Sequence, residues 1–265
     1  MHITGYLVAV LIGISLGLIG GGGSILTVPV LVYLFGMDKF SAITNSLFIV
    51  GATSLAGAFA YIKQGWVDIK TAIVFGIPSV VSVYIIRIYL LPVIPDDLFR
   101  LGHFMVTKAV LFMLIFATLM ILASYSMIRK NTPQESHHLK TNNYYLIILA
   151  EGLFTGSLTG LIGAGGGFLI IPVLVNLVKM PIKTAIGTSL VIISMSSLMG
   201  FVFSVSQYSI QWPFLLEITA MAILGILIGN YISTKIDGKK LKPAFGWFVL
   251  VMGIYIIVKE TGILV

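Results

Sequence analysis

The chain has 265 residues, 58% of them apolar and only 9% charged, and its mean hydropathy is +1.08. That is too little polar surface to coat a water-soluble globule of this size, so the sequence reads as an integral membrane protein. The net charge of +7 would point to nucleic acid in a soluble protein, but here the basic residues fall between apolar runs, which assigns them to loops at a membrane surface and excludes that partner. The absence of cysteine removes disulfides, thiolate nucleophiles and thiolate metal sites.

The first apolar stretch, Ile3–Phe35, is longer than the roughly 20 residues of one helical crossing and is interrupted at Gly20, Gly21, Gly22 and Gly23. Runs long enough to span follow near Ser41–Ile62, Ile69–Leu91 and Phe104–Ile128. Residues 129–143 are the one long polar stretch, with charge, Pro133 and turn formers, and read as a linker. His137 and His138 within it form a doublet with no further ligand pattern, so a solvated loop is expected there and no metal. A second broken stretch, Tyr144–Val178, carries Gly163, Gly165, Gly166 and Gly167. Runs near Ala185–Ser206, Phe214–Ile232 and Ala244–Val258 complete the chain.

The two halves are related by a shift of 143 residues, which superposes the glycine clusters, Pro29 on Pro172, Ser46 on Ser189 and Gln64 on Gln207. Roughly twenty of about fifty aligned positions are identical without a gap. Paired, interrupted apolar segments in corresponding places are the sequence mark of a secondary transporter's binding site. Positive charge then sets the parity. If each broken stretch is a hairpin that returns to its starting side, Lys63, Lys70, Arg129, Lys130, Lys140, Lys179, Lys183, Lys235, Lys239, Lys240 and Lys242 share one face, taken as cytoplasmic. The expected fold is therefore an all-α polytopic membrane protein of two inverted repeats, each a glycine-broken helical hairpin plus three transmembrane helices. Residues 1–128 form the first repeat, 129–143 a cytoplasmic linker and 144–265 the second repeat, with both termini outside the cell membrane.

Consecutive glycines cost up to roughly 1 kcal/mol each in a helix, so they are expected to break it and leave backbone N–H and C=O groups facing protein, water or ligand. Two helix N-termini aimed at the midplane from opposite sides, the first capped by Ser24, would suit an anion. The expected binding set is Gly20, Gly22, Gly23, Ser24, Thr44, Asn45 and Ser46 from the first half, with Gly163, Gly165, Gly166, Gly167, Thr188 and Ser189 from the second. A nucleotide loop is excluded, because no Lys-Ser/Thr follows the glycines and no βαβ pattern flanks them. Pro29 and Pro172 are read as kinks. Charges within spans are functional candidates, which singles out Glu151 and Glu217 as proton carriers. Lys108 and Arg87 are expected to snorkel to an interface, leaving no arginine near either hairpin tip.

The pattern G-x-x-G-x-G-G-G-x-x-x-x-P-x-L occurs twice, followed the second time by A-x-G-T-S, and with it the chain resembles the sulfite exporter TauE/SafE family of membrane transporters. The resemblance runs along essentially the whole chain and falls on Gly20, Gly22, Gly23, Pro29, Gly163, Gly165, Gly166, Gly167 and Pro172. The first half departs from it where Thr44-Asn45-Ser46 replaces G-T-S and where Ser24 replaces the last glycine. The resemblance implies movement of a small sulfur-containing or organic anion across the cytoplasmic membrane, coupled to the proton gradient. The expected partners are that small anionic substrate and the lipid bilayer, with no cofactor; a homo-oligomer is left open. The rivals are a passive anion channel and an intramembrane enzyme, and the sparse carboxylates supply no catalytic constellation for the latter.

Overall fold

The computed structural model describes residues 2–101, 104–128, 144–163, 167–176, 178–207, 210–233 and 238–261. Its helices are α1 (His2–Ile19), α2 (Lys39–Lys63), α3 (Ile69–Ile85), α4 (Lys108–Ile128), α5 (Tyr144–Ile162), α6 (Gly167–Asn176), α7 (Ile182–Val202), α8 (Trp212–Ser233) and α9 (Gly238–Glu260). Among the described residues, Lys39–Lys63, Ile69–Val93, Ile182–Val202 and Trp212–Ser233 are long and apolar enough to cross a membrane, and shorter apolar helices accompany them. The protein is an all-α polytopic membrane protein. One element departs from that rule: Asp97–Leu101 (β1) pairs antiparallel with Phe104–Thr107 (β2), so the span expected from Phe104 begins at Lys108 instead.

Local chemistry sets the element ends. Asp38 caps α2, its Oδ2 accepting from the Phe40 and Ser41 amides at 3.1 and 3.2 Å, and Asp68 Oδ1 accepts from the Thr71 amide at the start of α3. Gly65, at φ +71°, ends α2, with Trp66 N–H donating to Tyr61 O and Gly65 N–H to Ile62 O, the two bonds of a left-handed helix stop. Regular α-helix is interrupted at Pro29, whereas Pro172 lies within the single α-helical run of α6. The Gly20–Leu26 stretch is a 3₁₀ helix, and directly after Pro29 the chain passes into a π-helical turn, Val30–Leu34, because proline removes one N–H from the ladder and crowds the preceding turn.

The pairings follow the shift of 143 residues. Helix α1 packs on α8 and α5 on α3, while α2 packs on α7 and α4 on α9. The first two contacts are made by small residues at four-residue spacing. A Cβ on Gly13 or Gly17 would run into the α8 backbone at Ala222 and Ile226, and one on Gly156 into the α3 backbone at Ser79. Helices α2 and α7 run antiparallel, with Leu47 against Gly200, Gly51 against Leu198, Gly57 against Leu190 and Tyr61 against Gly187. Even a turn that lost its glycine keeps its shape: Gly36 at φ +66° corresponds to Lys179 at φ +58°, and the next amides, Met37 and Met180, donate to Leu31 O and Leu174 O.

Both broken stretches are hairpins. A Cβ on Gly5 would strike the Phe35 ring, so residue 35 has returned beside residue 5. In the second stretch, Ile148 shares a core cluster with Met180. The end of the bundle at residues 5 and 35 also holds the Lys39–Glu260 ion pair and the Tyr6–Glu217 hydrogen bond. The opposite end holds Tyr61, Trp66, Asp68 and Lys183, joined by the Lys183 ammonium over the Trp66 ring and by the Asp68 amide on Thr188.

Candidate functional site

Each hairpin breaks at a glycine in the left-handed region, Gly20 at φ +67° and Gly163 at φ +73°, a conformation that a side chain disfavours. Each break lies against the helix that follows the other half's hairpin. Ser46 Oγ lies 2.7 Å from Ile43 O and 2.6 Å from Gly163 O, so its single proton is shared between a carbonyl of its own helix and one at the break. In the mirrored contact, Ser189 Oγ donates to Ile186 O at 2.8 Å and stands 3.0 Å from where a Gly20 Cβ would be. Ile43 and Ile186, also equivalent, pack on Gly163 and Gly20 in turn.

Between these contacts the two return segments touch backbone to backbone. A Cβ on Gly21 would fall inside 3.0 Å of Gly167 Cα, C and O, and one on Gly167 would sit 2.5 Å from Gly21 Cα. The sequence leads one to expect two helix N-termini aimed at the midplane from opposite sides; the hairpin tips overlap instead of stopping at one level. Gly20 lies near the N-terminus of α7 and Gly163 near that of α2, and because α2 and α7 are antiparallel these are opposite ends of the pair. The tips have passed one another, which two glycine backbones allow and side chains would not.

Ser24 is not an N-cap. It sits inside the 3₁₀ turn, fully buried, with Oγ donating to Gly21 O at 2.7 Å, because a short hydroxyl side chain in a tight turn finds the carbonyl three residues back. Gly23 packs against Ser15 and Leu16 of α1 and so joins the two hairpin arms. Gly22 lies in the same 3₁₀ turn, whereas Gly165, Gly166 and the linker histidines fall outside the described residues. Thr188 Oγ1 accepts from the Asp68 amide at 2.9 Å and pins the α2–α3 turn. Thr44 and Asn45 are 1% and 2% exposed, and their Oγ1 and Oδ1 atoms have no hydrogen-bond partner among the described residues.

Sequence reasoning passed over Thr27 and Thr53, whose buried Oγ1 atoms likewise lack partners among the described residues, as do the Ser54 and Ser197 hydroxyls. Thr53 follows Ser46 by seven residues, and its equivalent Ser196 follows Ser189 by seven, so each pair shares a helix face two turns apart. That spacing, repeated at the 143-residue offset, was the available signal. The candidate carboxylates stand apart from these stripes. Glu217 is exposed and accepts from Tyr6 OH at 2.6 Å; Glu151 is half-buried on α5, beside the Gly152 that packs on Phe75. Lys108 is 9% exposed, its Nζ donating to Ile94 O and pairing with exposed Asp96 at 3.0 Å. Arg87 is buried further. It is 1% exposed and its Nη1 donates to Ser204 Oγ at 3.1 Å, which overturns the expectation that it reaches the interface.

At the end of the bundle near Gly163, a cavity of about 420 Å³ opens between Phe35, Gly36, Met37, Asp38, Ser41, Gln211 and Phe214. Ser41 is two residues from Ile43, which packs on the Gly163 break.

Paired glycine-broken hairpins and buried hydroxyl stripes define a polytopic membrane protein of the transporter class. The chain matches the family described as Sulfite exporter TauE/SafE over residues 6–256, and it belongs to that family. It is 28% identical over 260 residues to a probable membrane transporter protein of Xylella fastidiosa strain Temecula1, covering 96% of this chain and 94% of that one. It is also 28% identical over 275 residues to the probable membrane transporter protein YunE of Bacillus subtilis strain 168, covering 95% of this chain and 97% of YunE. No solved structure matches the chain.

Proposed function

We propose that the protein exports small organic or sulfur-containing anions, such as sulfite, sulfonates or sulfoacetate, as a secondary transporter working by alternating access between the two glycine breaks. The observation that carries this reading is the pair of buried hydroxyl stripes facing the breaks, Ser46 with Thr53 and Ser189 with Ser196, of which Thr53 Oγ1 has no partner among the described residues. A buried hydroxyl without a partner is costly unless a ligand or water completes it. Hydroxyls and the amides at a helix start are donors matched to an oxyanion. The family description and the relatives' printed names support the transport part of this reading.

In this proposal residues 1–128 and 144–265 are inverted repeats joined by a cytoplasmic linker at 129–143. The antiparallel run of the equivalent helices α2 and α7 supports the inversion. Both termini lie outside, and the cavity at Ser41 and Gln211 is the outward mouth. Because the breaks pass one another in glycine-to-glycine contact, rocking one hairpin against the other closes one side as it opens the other. Proton coupling runs through Glu151 or Glu217.

The test is flux in proteoliposomes of the purified protein with sulfite, methanesulfonate, sulfoacetate and acetate. Saturable flux that counter-substrate stimulates is expected, and it should run uphill in a pH gradient. Linear, unsaturable flux would make the protein a channel, and no flux of any of the four would overturn the anion reading.

A further inference from the structure

Arg87 is the largest fully buried side chain among the described residues. A guanidinium inside a membrane bundle is expensive, and such residues mark ligand pathways. Its placement ties it to the second break from two directions. The neighbouring Ile86 and Val83 pack on Gly160, the last small residue of α5 before Gly163. Its hydrogen-bond partner Ser204 lies in the turn just after α7, with its Oγ also donating to Gly200 O, and Gly200 is paired with Leu47; the antiparallel register therefore brings Ser204 near the level of Ile43, which packs on Gly163. The helix around Arg87 is a π turn, Ile86–Leu90, a distortion that recurs at functional sites.

The other half shows what is particular to this residue. The shift of 143 residues carries Arg87 onto Asn230, which is also buried, whose backbone nitrogen lies 2.7 Å from a Gly17 Cβ position, and whose side-chain Nδ2 is 3.4 Å from Gly57 O. Each break thus has a buried polar side chain on the neighbouring helix, one turn before it. At the first break this group is a neutral amide; at the second it is a permanent cation.

Building on the transport reading above, we infer that Arg87 is the fixed counter-charge of the substrate site and binds the anion at the second break. Its planar fork matches two oxygens of a carboxylate, sulfonate or sulfite, which a lysine matches only as a point charge. The asymmetry with Asn230 makes the second break the tighter anion site, so the two access states hold the substrate unequally.

Sulfoacetate is the probe, in proteoliposomes containing wild type, Arg87→Gln or Arg87→Lys. Removing the charge should raise KM roughly thirtyfold or more, and Arg87→Lys should fall between Arg87→Gln and wild type. A second measurement needs no loss of charge. The chain's arginines are Arg87, Arg100 and Arg129, so an Arg100→Lys, Arg129→Lys double variant leaves Arg87 as the only target of phenylglyoxal, followed by peptide mass. Saturating sulfoacetate should slow its modification severalfold, whereas inert sodium gluconate should not. An arginine that takes an anion from water must be reachable from water in some state, so equal modification with and without sulfoacetate, or none in either, overturns the assignment. If wild type carries sulfoacetate and Arg87→Gln keeps the wild-type KM, only the arginine assignment fails. If wild type carries none of the four anions, the transport reading itself has failed.

Discussion

Substituting Gly21 by alanine tests the central claim that the hairpins meet backbone to backbone. The added Cβ would fall inside 3.0 Å of three Gly167 backbone atoms, while ordinary contact begins at 3.4 Å. The two return segments would have to part by about 1 Å, and neither atom group is the end of a flexible side chain that could swing aside. Overpacking of this kind costs 1–3 kcal/mol as a rule, and backbone on both sides puts Gly21→Ala at about 3 kcal/mol. The comparison is Gly76→Ala in α3, where the new Cβ would meet only the Met195 Sδ and Cε atoms at 3.4 Å. There the helix should gain up to about 1 kcal/mol from leaving glycine. Thermal unfolding in mild detergent, followed by tryptophan fluorescence and paired with sulfite flux, separates the two. Gly21→Ala should melt well below wild type and lose flux, while Gly76→Ala should melt at or above it with flux retained. If Gly21→Ala is as stable and active as Gly76→Ala, the hairpins do not touch there and the overlapping-tip geometry is wrong.

Thr53→Val keeps the shape and deletes a buried hydroxyl that has no partner among the described residues; stability should hold or rise by about 1 kcal/mol, while KM for the transported anion rises roughly fivefold. A destabilised variant with wild-type KM would show that the hydroxyl serves the fold instead. Ser46→Ala removes the donor 2.6 Å from Gly163 O and should lower stability by about 1–2 kcal/mol, read from the same melting curves; an unshifted melt would mean that the bond contributes nothing. Glu151→Gln or Glu217→Gln should weaken uphill transport driven by a pH gradient with little change in KM, and full coupling in both variants would remove these carboxylates from the proton path. Because the chain has no cysteine, Lys183→Cys should be labelled by an impermeant maleimide only from the cytoplasm and Gln211→Cys only from outside. The reverse pattern in intact cells would invert the proposed orientation.

Composition, the two glycine clusters and the 143-residue repeat were decisive on their own. They dictated a helical membrane protein, placed both breaks at the right residues and brought Ser46 and Ser189 into the candidate site, because helix formation, helix breaking and apolar length are properties of neighbours in sequence. What lay beyond reach depended on how separate segments pack. Nothing local told that the hairpin tips overlap at Gly21 and Gly167 or that Ser24 bonds within its own turn, and the strand at Phe104–Thr107 had read as the start of a span. Arg87 is the clearest case. Eighteen residues into an apolar run, its position alone is compatible with an interface, and only the packing of α3 against α5 and α7 seals it beside the second break. Burial is a property of the neighbours a residue acquires in space, and those neighbours, at Gly160 and Ser204, lie more than seventy residues away along the chain.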